Sequence, residues 1–258
     1  MTPEVILAFV LGLIFGSFGT VAAHRIPRRE TIVTGRSKCP NCGREIKAAE
    51  NIPVLSYLAL RGRCPGCGTS ISPRYPLTEL AVGVLFALSV AKFGPSVTAV
   101  VYAAFFWVLV VLTVIDLEHK LLPNRIVYPA FVAGWIGLVI AALVDDHTAR
   151  LTSAALGAAL FGGFFLLVAF IYPAGMGGGD VKLAFVLGSF LGYAGGVGAV
   201  IAGMFLSFLL GGVIGIIAIR FSGKGRKTQI PFGPFLALGS VLAVFVGENL
   251  ARGYVGFL

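Results

Sequence analysis

The run Gly175-Met176-Gly177-Gly178-Gly179-Asp180-Val181-Lys182-Leu183 brings a carboxylate to the junction of two apolar segments. The first segment covers residues 151–172 and the second covers residues 183–193. Asp180 is therefore expected at or inside the boundary of a membrane, where carboxylates are rare and usually functional. A tight turn with a solvated acid at the helix end gives the same pattern, so position alone leaves both interpretations open.

Asp116 is the acid that would complete a site with Asp180. It follows another apolar segment, residues 97–115, so both carboxylates are expected at a similar membrane depth. Two converging carboxyl groups could share a proton. Such a pair can divide the work of general acid and general base without a nucleophilic side chain.

The composition excludes an ordinary soluble domain. Of the 258 residues 57% are hydrophobic and only 12% are charged, and the mean hydropathy is +0.95. About 20 residues of helix cross a hydrocarbon core of about 30 Å. We therefore predict an all-α polytopic membrane protein with about eight transmembrane helices, at residues 4–23, 77–92, 97–115, 126–144, 151–172, 181–195, 197–219 and 231–250.

The basic residues set the expected orientation. Seventeen of the 20 lysines and arginines fall on one side of the eight predicted spans, and ten of these lie between the first two spans. Basic loops remain in the cytoplasm, so both termini are expected outside. Topology thus explains the net charge of +9 better than nucleic-acid binding does, and the basic face could also contact anionic lipid headgroups.

All four cysteines lie in the loop after the first span, as Cys39-Pro40-Asn41-Cys42-Gly43 and Cys64-Pro65-Gly66-Cys67-Gly68. Each CxxC pair can give two thiolates to one tetrahedral ion, and the glycine that follows lets the backbone turn toward the metal. Disulfides or redox thiols are the alternative, which a cytoplasmic loop disfavours. We predict a structural zinc site that supplies much of the folding free energy of residues 24–76.

Two features near the cysteines carry further predictions. Residues 51–57, followed by residues 61–63, are expected to form a short turn and a strand packed near the membrane surface. Glu79 lies just inside the second predicted span, where it could pair with Arg74 or line a cofactor pocket. Pairing is the simpler interpretation for an acid at that depth.

Together these motifs resemble the bacterial type IV prepilin peptidases, a branch of the Gly-x-Gly-Asp intramembrane aspartyl proteases. The resemblance spans nearly the whole chain in the family's order. One position departs from it, since many members have Asp where this chain has Asn124. The matching residues are Gly16-Ser17-Phe18, His24-Arg25-Ile26-Pro27, the two cysteine pairs, Asn51-Ile52-Pro53, Ser72-Pro73-Arg74-Tyr75-Pro76, Glu79, Asp116, Leu122-Pro123, the glycine run and Pro231-Phe232-Gly233-Pro234-Phe235.

The resemblance implies a bifunctional enzyme of the bacterial cytoplasmic membrane. Such an enzyme cleaves the leader of type IV prepilins or type II secretion pseudopilins after a glycine, and then methylates the new N-terminal residue with S-adenosylmethionine. It also implies a catalytic role for Asp116 and Asp180 and makes Glu79 a candidate for binding the methyl donor. The family's cysteine tetrad falls on Cys39, Cys42, Cys64 and Cys67, and the substrate loop on Gly175, Gly177, Gly178, Gly179 and Lys182.

These predictions divide the chain into an anchor at residues 1–23, a cysteine loop at 24–76 associated with methyl transfer, and a peptidase core at 77–258. Two other functions are weighed against them: a transporter with ion-binding acids, and a non-catalytic scaffold for secretion machinery. A transporter would show inverted repeats and interrupted helices in both halves, whereas the sequence has one glycine break. A scaffold would keep its function after loss of either aspartate.

Overall fold

The protein is all-helical over the residues that a computed structural model describes, which are 2–32, 37–173, 176–221 and 231–255. Within these ranges there are isolated β-bridges but no strand. A 3₁₀ helix, Ala48–Glu50, adds to the α-helices. The α-helices are α1 (Pro3–Arg25), α2 (Leu55–Ala59), α3 (Arg74–Phe93), α4 (Val97–His119), α5 (Asn124–Val144), α6 (Arg150–Ile171), α7 (Gly178–Phe221) and α8 (Gly233–Val255).

Six of these helices, α1 and α3 to α7, are long and apolar enough to cross a membrane. The chain is therefore a multi-pass membrane protein, as its composition predicts. The six helices contain the first seven predicted spans, and the shorter apolar helix Gly233–Gly247 lies in the eighth.

The helix α7 explains why seven predicted spans occupy six helices. Its 44 residues would reach about 66 Å if straight, twice the thickness of a hydrocarbon core of about 30 Å. The backbone leaves the helical region at Gly195 and Gly196, and Gly196 has a φ of 64° that favours glycine. This break falls between the predicted spans 181–195 and 197–219, so the predicted boundary is confirmed.

The chain forms two compact units, residues 1–111 and residues 112–258, which we call the N-terminal and C-terminal units. In the N-terminal unit α1 packs on α3 through small residues. A Cβ added at Gly12 would lie 2.7 Å from Gly83 Cα, and one added at Gly16 would lie 2.6 Å from Glu79 Cα. Such close backbone approach is how membrane helices associate without a hydrophobic driving force.

The C-terminal unit is built on contacts of α7 with α6 and α8. Gly157 of α6 and Gly188 of α7 leave no room for a side chain between the two helices. The Phe208 ring lies 5.7 Å from that of Phe165 in α6 and 5.5 Å from that of Phe232, which precedes α8. These contacts pack α6, α7 and α8 into one bundle, and the candidate site is built from the starts of α7 and α8.

The strand predicted from residues 51–57 and 61–63 is wrong, since these residues contribute only an isolated bridge of Arg63 with Ser70. The chain forms the 3₁₀ helix Ala48–Glu50 and then the short helix α2. The Ser56 hydroxyl accepts a hydrogen bond from the Ile52 amide and donates one to the Ala49 carbonyl, which holds the turn closed. Pro53 removes a ladder donor, and Val54 has a φ of 61°, so the backbone cannot continue as a strand.

Candidate active site and metal centre

Asp116 lies in the last turn of α4 and is 5% exposed. Its Oδ2 accepts a hydrogen bond of 3.1 Å from the amide of Gly233, the first residue of α8. The first amides of a helix have no partner within that helix. The start of α8 therefore uses such an amide to hold a buried carboxylate 117 positions away in sequence.

Asp180 is the third residue of α7 and is half-buried. Its carboxylate accepts a hydrogen bond from the Gly177 amide, while its own amide donates to the Gly177 carbonyl at 3.0 Å. This reciprocal pairing resembles a capping box, in which an acid in the first turn satisfies the amide that precedes the helix. The glycine run thus fixes the orientation of the acid that ends it.

The two aspartates belong to one cluster in the C-terminal unit. Leu122, in the turn after α4, lies against the start of α7 and the start of α8, since Cβ atoms added at Gly179 and Gly233 would lie 2.9 and 3.4 Å from its side chain. Asp116 also acts electrostatically on Asp180. The predicted pair is therefore brought together, and the cluster has the composition that acid and base catalysis requires.

At two glycines beside the carboxylates an added side chain would meet a carboxylate oxygen. A Cβ at Gly177 would lie 2.7 Å from Asp180 Oδ2, and a Cβ at Gly233 would lie 2.6 Å from Asp116 Oδ2. Gly178, in contrast, faces open space, and Gly175 lies outside the described residues. The role of the run in binding substrate stays a prediction.

Lys182 connects the start of α7 to the start of α5. Its Nζ donates a hydrogen bond of 3.0 Å to Asn124 Oδ1 and lies 5.2 Å from the centre of the Tyr128 ring. Asn124 is the position at which the chain departs from the prepilin peptidase pattern. The amide at this position accepts the lysine's hydrogen bond.

The four cysteines of the N-terminal unit form one cluster. All four Sγ atoms lie within 4.8 Å of one another, and Cys39 Sγ is 3.8 Å from Cys67 Sγ. Four thiolates bound tetrahedrally at about 2.3 Å would be separated by roughly 3.8 Å. The donor set and its spacing fit a tetrahedral metal ion.

The two CxxC turns have the same backbone. Cys39 and Cys64 each accept, through the carbonyl, a hydrogen bond from the glycine four residues on, at 2.9 and 2.8 Å. Those glycines, Gly43 and Gly68, have φ values of 70° and 72°, as the sequence predicts for knuckles that turn toward a metal.

The local electrostatics favour a thiolate at Cys67, whereas burial and hydrogen bonds with the other thiols raise the pKa of Cys42 to about 11. Hydrogen bonds from Thr69 and Asn41 lower the pKa of the Cys67 thiol to about 6. The thiolate is the form of cysteine that binds metal. Beside the cluster a hydrogen bond from Arg44, at 2.7 Å, holds the pKa of Glu50 below its usual range, so this pair stays charged near neutral pH.

Glu79 is a buried acid of α3, 8% exposed. Its Oε2 accepts a hydrogen bond of 2.7 Å from the Val54 amide, and its side chain lines a cavity of about 590 Å³ in the N-terminal unit. Sequence reasoning identified Glu79 but missed this partner. It also missed the Gly233 amide, although the motif Pro231-Phe232-Gly233-Pro234-Phe235 was the signal that could have indicated it.

Comparison with known proteins gives two family matches. Residues 10–93 match the bacterial peptidase A24 N-terminal domain, and residues 103–216 match the type IV leader peptidase family. No solved structure matches the chain.

Three relatives share the name prepilin leader peptidase/N-methyltransferase. The protein of Stutzerimonas stutzeri is 36% identical over 98% of this chain and 94% of its own length. The Pseudomonas aeruginosa protein is 35% identical with the same coverage, and the Bacillus subtilis protein is 36% identical over 96% of this chain and 97% of its own. Because the likeness covers both family regions and nearly the full length of each relative, this chain is an enzyme that belongs to the type IV leader peptidase family, among the prepilin leader peptidase/N-methyltransferases.

Proposed function

We propose that this protein is an aspartyl endopeptidase of the bacterial cytoplasmic membrane that removes the leader of type IV prepilins or type II secretion pseudopilins after a glycine. Asp116 and Asp180 are its catalytic residues. The observation that carries this proposal is the convergence of the two carboxylates, each held by a glycine amide. The relatives' name supports the class of substrate.

The reaction needs no covalent intermediate with the enzyme. One carboxylate, in its ionised form, takes a proton from a water molecule that attacks the carbonyl carbon of the scissile bond. The other carboxyl group, in its neutral form, gives a proton to the carbonyl oxygen. As the carbon–nitrogen bond breaks, the carboxyl group that took the water's proton gives it to the leaving amine, and the other carboxylate recovers its proton from the hydroxyl that reverts to a carbonyl. The two carboxyl groups exchange the roles of acid and base. Their apparent pKa values therefore describe the pair and not either residue alone.

The glycines beside the aspartates have two functions in this mechanism. The amides of Gly177 and Gly233 orient the carboxylates, and the missing side chains leave space at the carboxylate oxygens. Gly178, which faces open space, gives an extended peptide room to lie along the backbone. Lys182 orients the start of α7 through Asn124.

The second proposed activity is methylation of the new N-terminal residue. Bound S-adenosylmethionine would supply an electrophilic methyl group to the uncharged N-terminal amine, which would release a proton to solvent, and S-adenosylhomocysteine would leave. Zinc held by Cys39, Cys42, Cys64 and Cys67 stabilises the cysteine loop, residues 24–76, which serves this activity.

The proposed topology places the basic loops in the cytoplasm and both termini outside. Seventeen of the 20 lysines and arginines fall on that side. The same charges favour contact with anionic lipid headgroups.

Incubation of the purified protein with a prepilin tests both activities. With S-adenosylmethionine absent, mass measurement should show loss of the leader alone. With it present, the mature product should also gain one methyl group. An unprocessed prepilin in both samples would contradict the proposed function.

A further inference from the structure

The cysteine loop presents apolar side chains that the proposed function does not use. Ile52, Leu55 and Leu58 are 47%, 64% and 64% exposed, although they lie outside the long apolar helices. We call these three residues the apolar patch. Leu55 and Leu58 are three residues apart in α2 and therefore lie on one face of that helix. Ser56 faces the protein instead, since it is buried and its hydroxyl donates to the Ala49 carbonyl.

The level of the apolar patch relative to the membrane follows from Glu79. This acid lies two residues inside the second predicted span, about 3 Å beyond its start. Its neighbours Leu77 and Leu80 are exposed on α3, a helix long and apolar enough to cross a membrane, so lipid surrounds the helix at this level. The Glu79 carboxylate accepts a hydrogen bond of 2.7 Å from the amide of Val54, which lies within the patch segment. The patch is therefore level with the first two turns of a membrane helix.

The helix α1 supports the same placement. The Ser17 hydroxyl donates a hydrogen bond to the Glu79 carboxylate, and Gly16 lies against the Glu79 backbone. Ser17 lies six residues before the end of the first predicted span, which corresponds to about 9 Å of helix. Two membrane helices thus continue past the level at which they hold the segment that carries the apolar patch.

The backbone of this segment is satisfied in the way that contact with lipid requires. Lipid offers no hydrogen bonds, so a segment that faces it must pair its own amides. Val54 adopts a φ of 61°, which is rare for a β-branched residue, and in that conformation its amide reaches Glu79. Pro53 has no amide donor. The other paired amides are those of Ile52 on the Ser56 hydroxyl, Leu55 on the Pro53 carbonyl, Ser56 on the Ile52 carbonyl and Leu58 on the Val54 carbonyl.

Two arginines follow the apolar patch in sequence. Arg61 and Arg63 are exposed and belong to the basic loop between the first two predicted spans. Guanidinium groups bind phosphate through paired hydrogen bonds, and basic segments beside a membrane are attracted to anionic lipids. An apolar face with basic residues at its edge is the composition of helices that lie in a membrane interface.

We propose that Ile52, Leu55 and Leu58 insert into the lipid leaflet on the side of the basic loops, with Arg61 and Arg63 at the phosphates of anionic headgroups. The cysteine loop then lies partly in the membrane interface and is not a domain held above it in water. This inference goes beyond the proposed function, because it depends on neither peptide cleavage nor methyl transfer. A prepilin and the C-terminal unit are the other candidate occupants of the apolar patch, and the test distinguishes them.

Photocrosslinking in a defined bilayer tests the insertion. The whole protein carries p-benzoylphenylalanine in place of Leu58 and is reconstituted in nanodiscs of phosphatidylethanolamine and phosphatidylglycerol. After irradiation, mass measurement of the intact protein should show lipid adducts in amounts similar to those obtained at Leu7, an exposed residue of the membrane helix α1. The matched control places the same amino acid at Glu45, an exposed residue of the cysteine loop outside the patch, and should give no lipid adduct.

Three results would overturn the insertion. Absence of lipid adducts at Leu58, with normal adducts at Leu7, would show that the apolar patch lies in water. A crosslink to residues 112–258 in place of lipid would show that the C-terminal unit covers the patch. A crosslink to prepilin that replaces the lipid adducts when prepilin is added would assign the patch to the substrate.

The composition of the adducts tests the role of the arginines. Phosphatidylglycerol should exceed its share of the disc among the adducts at Leu58 by about fivefold, the preference that one basic residue beside an anionic surface confers. Arg61→Gln combined with Arg63→Gln should return this share to that of the disc, whereas the control Lys92→Gln, on the opposite side of the predicted topology, should leave it unchanged. A melting temperature like that of the wild type shows that each variant is folded. An unchanged share in the folded double variant would overturn the contact of the arginines with the headgroups.

Discussion

Replacing Gly233 with alanine should impair peptide cleavage without removing a catalytic group. The added Cβ would lie 2.6 Å from Asp116 Oδ2, closer than real Cβ atoms approach any heavy atom. The Gly233 amide remains in the variant, so the substitution acts only through the steric clash of the added Cβ with the carboxylate. Asp116 must move away from the start of α8 to make room, and its hydrogen bond of 3.1 Å must lengthen.

The size of the effect follows from the required displacement. Ordinary contacts of a Cβ begin at 3.4 Å, so the carboxylate oxygen must shift by about 0.8 Å. A misplacement of about 1 Å in an active site can cost roughly 100-fold in rate. We therefore expect leader cleavage to fall by about 100-fold, equivalent to about 2.7 kcal/mol of transition-state stabilisation.

The assay is the initial rate of leader removal from a purified prepilin, measured with equal amounts of each variant in the same detergent. Gly163→Ala in α6 is the matched control, because a Cβ at that helical glycine has no neighbour within 4 Å. The control should cleave at the wild-type rate. If Gly233→Ala also cleaves within about threefold of the wild type, the steric reasoning and the positioning role of Gly233 are refuted.

Three further predictions concern the cysteine loop and the start of α7. Metal analysis of protein purified without chelator should find one zinc per chain, because four thiols within 4.8 Å fit one tetrahedral ion; absence of zinc with four reactive thiols would contradict the site. Cys39→Ser should impair methylation more than cleavage in samples of equal abundance, because both aspartates lie outside the cysteine loop. If the variant methylates a pre-cleaved substrate at the normal rate but cannot cleave a prepilin, the loop serves cleavage and not methyl transfer. Asn124→Asp should raise the melting temperature slightly, because it turns the 3.0 Å hydrogen bond with Lys182 into an exposed ion pair worth about 0.2–1 kcal/mol, and a lower melting temperature would count against that contact.

The features that the sequence predicts best depend on local composition. Long apolar runs can only be helices in a membrane, because their backbone groups must be satisfied internally. The boundary between the predicted spans 181–195 and 197–219 followed from the length that crosses a membrane, and the helix breaks there at Gly195 and Gly196. The paired CxxC motifs likewise predict a cluster of thiols. Each short loop already holds two thiols together, so contact between the two loops at one point gathers all four.

The features that it does not predict depend on partners distant in sequence. The motif at residues 231–235 marks Gly233 as notable but does not tell that its amide reaches Asp116, since the contact arises from the packing of α8 in the bundle. The strand predicted within residues 51–57 fails because Ser56 and Glu79 provide hydrogen-bond partners that favour a helical turn. Side-chain partners of this kind override local propensity.

The requirement for both aspartates is tested most directly by the cleavage rates of Asp116→Asn and Asp180→Asn, each measured alone. Asparagine preserves the size of the side chain but can neither take up nor release the proton that the mechanism transfers. With each variant inserted in the membrane at the wild-type amount, leader cleavage should be abolished by either substitution. Cleavage near the wild-type rate by either variant would remove that aspartate from the mechanism and contradict the proposed catalytic pair.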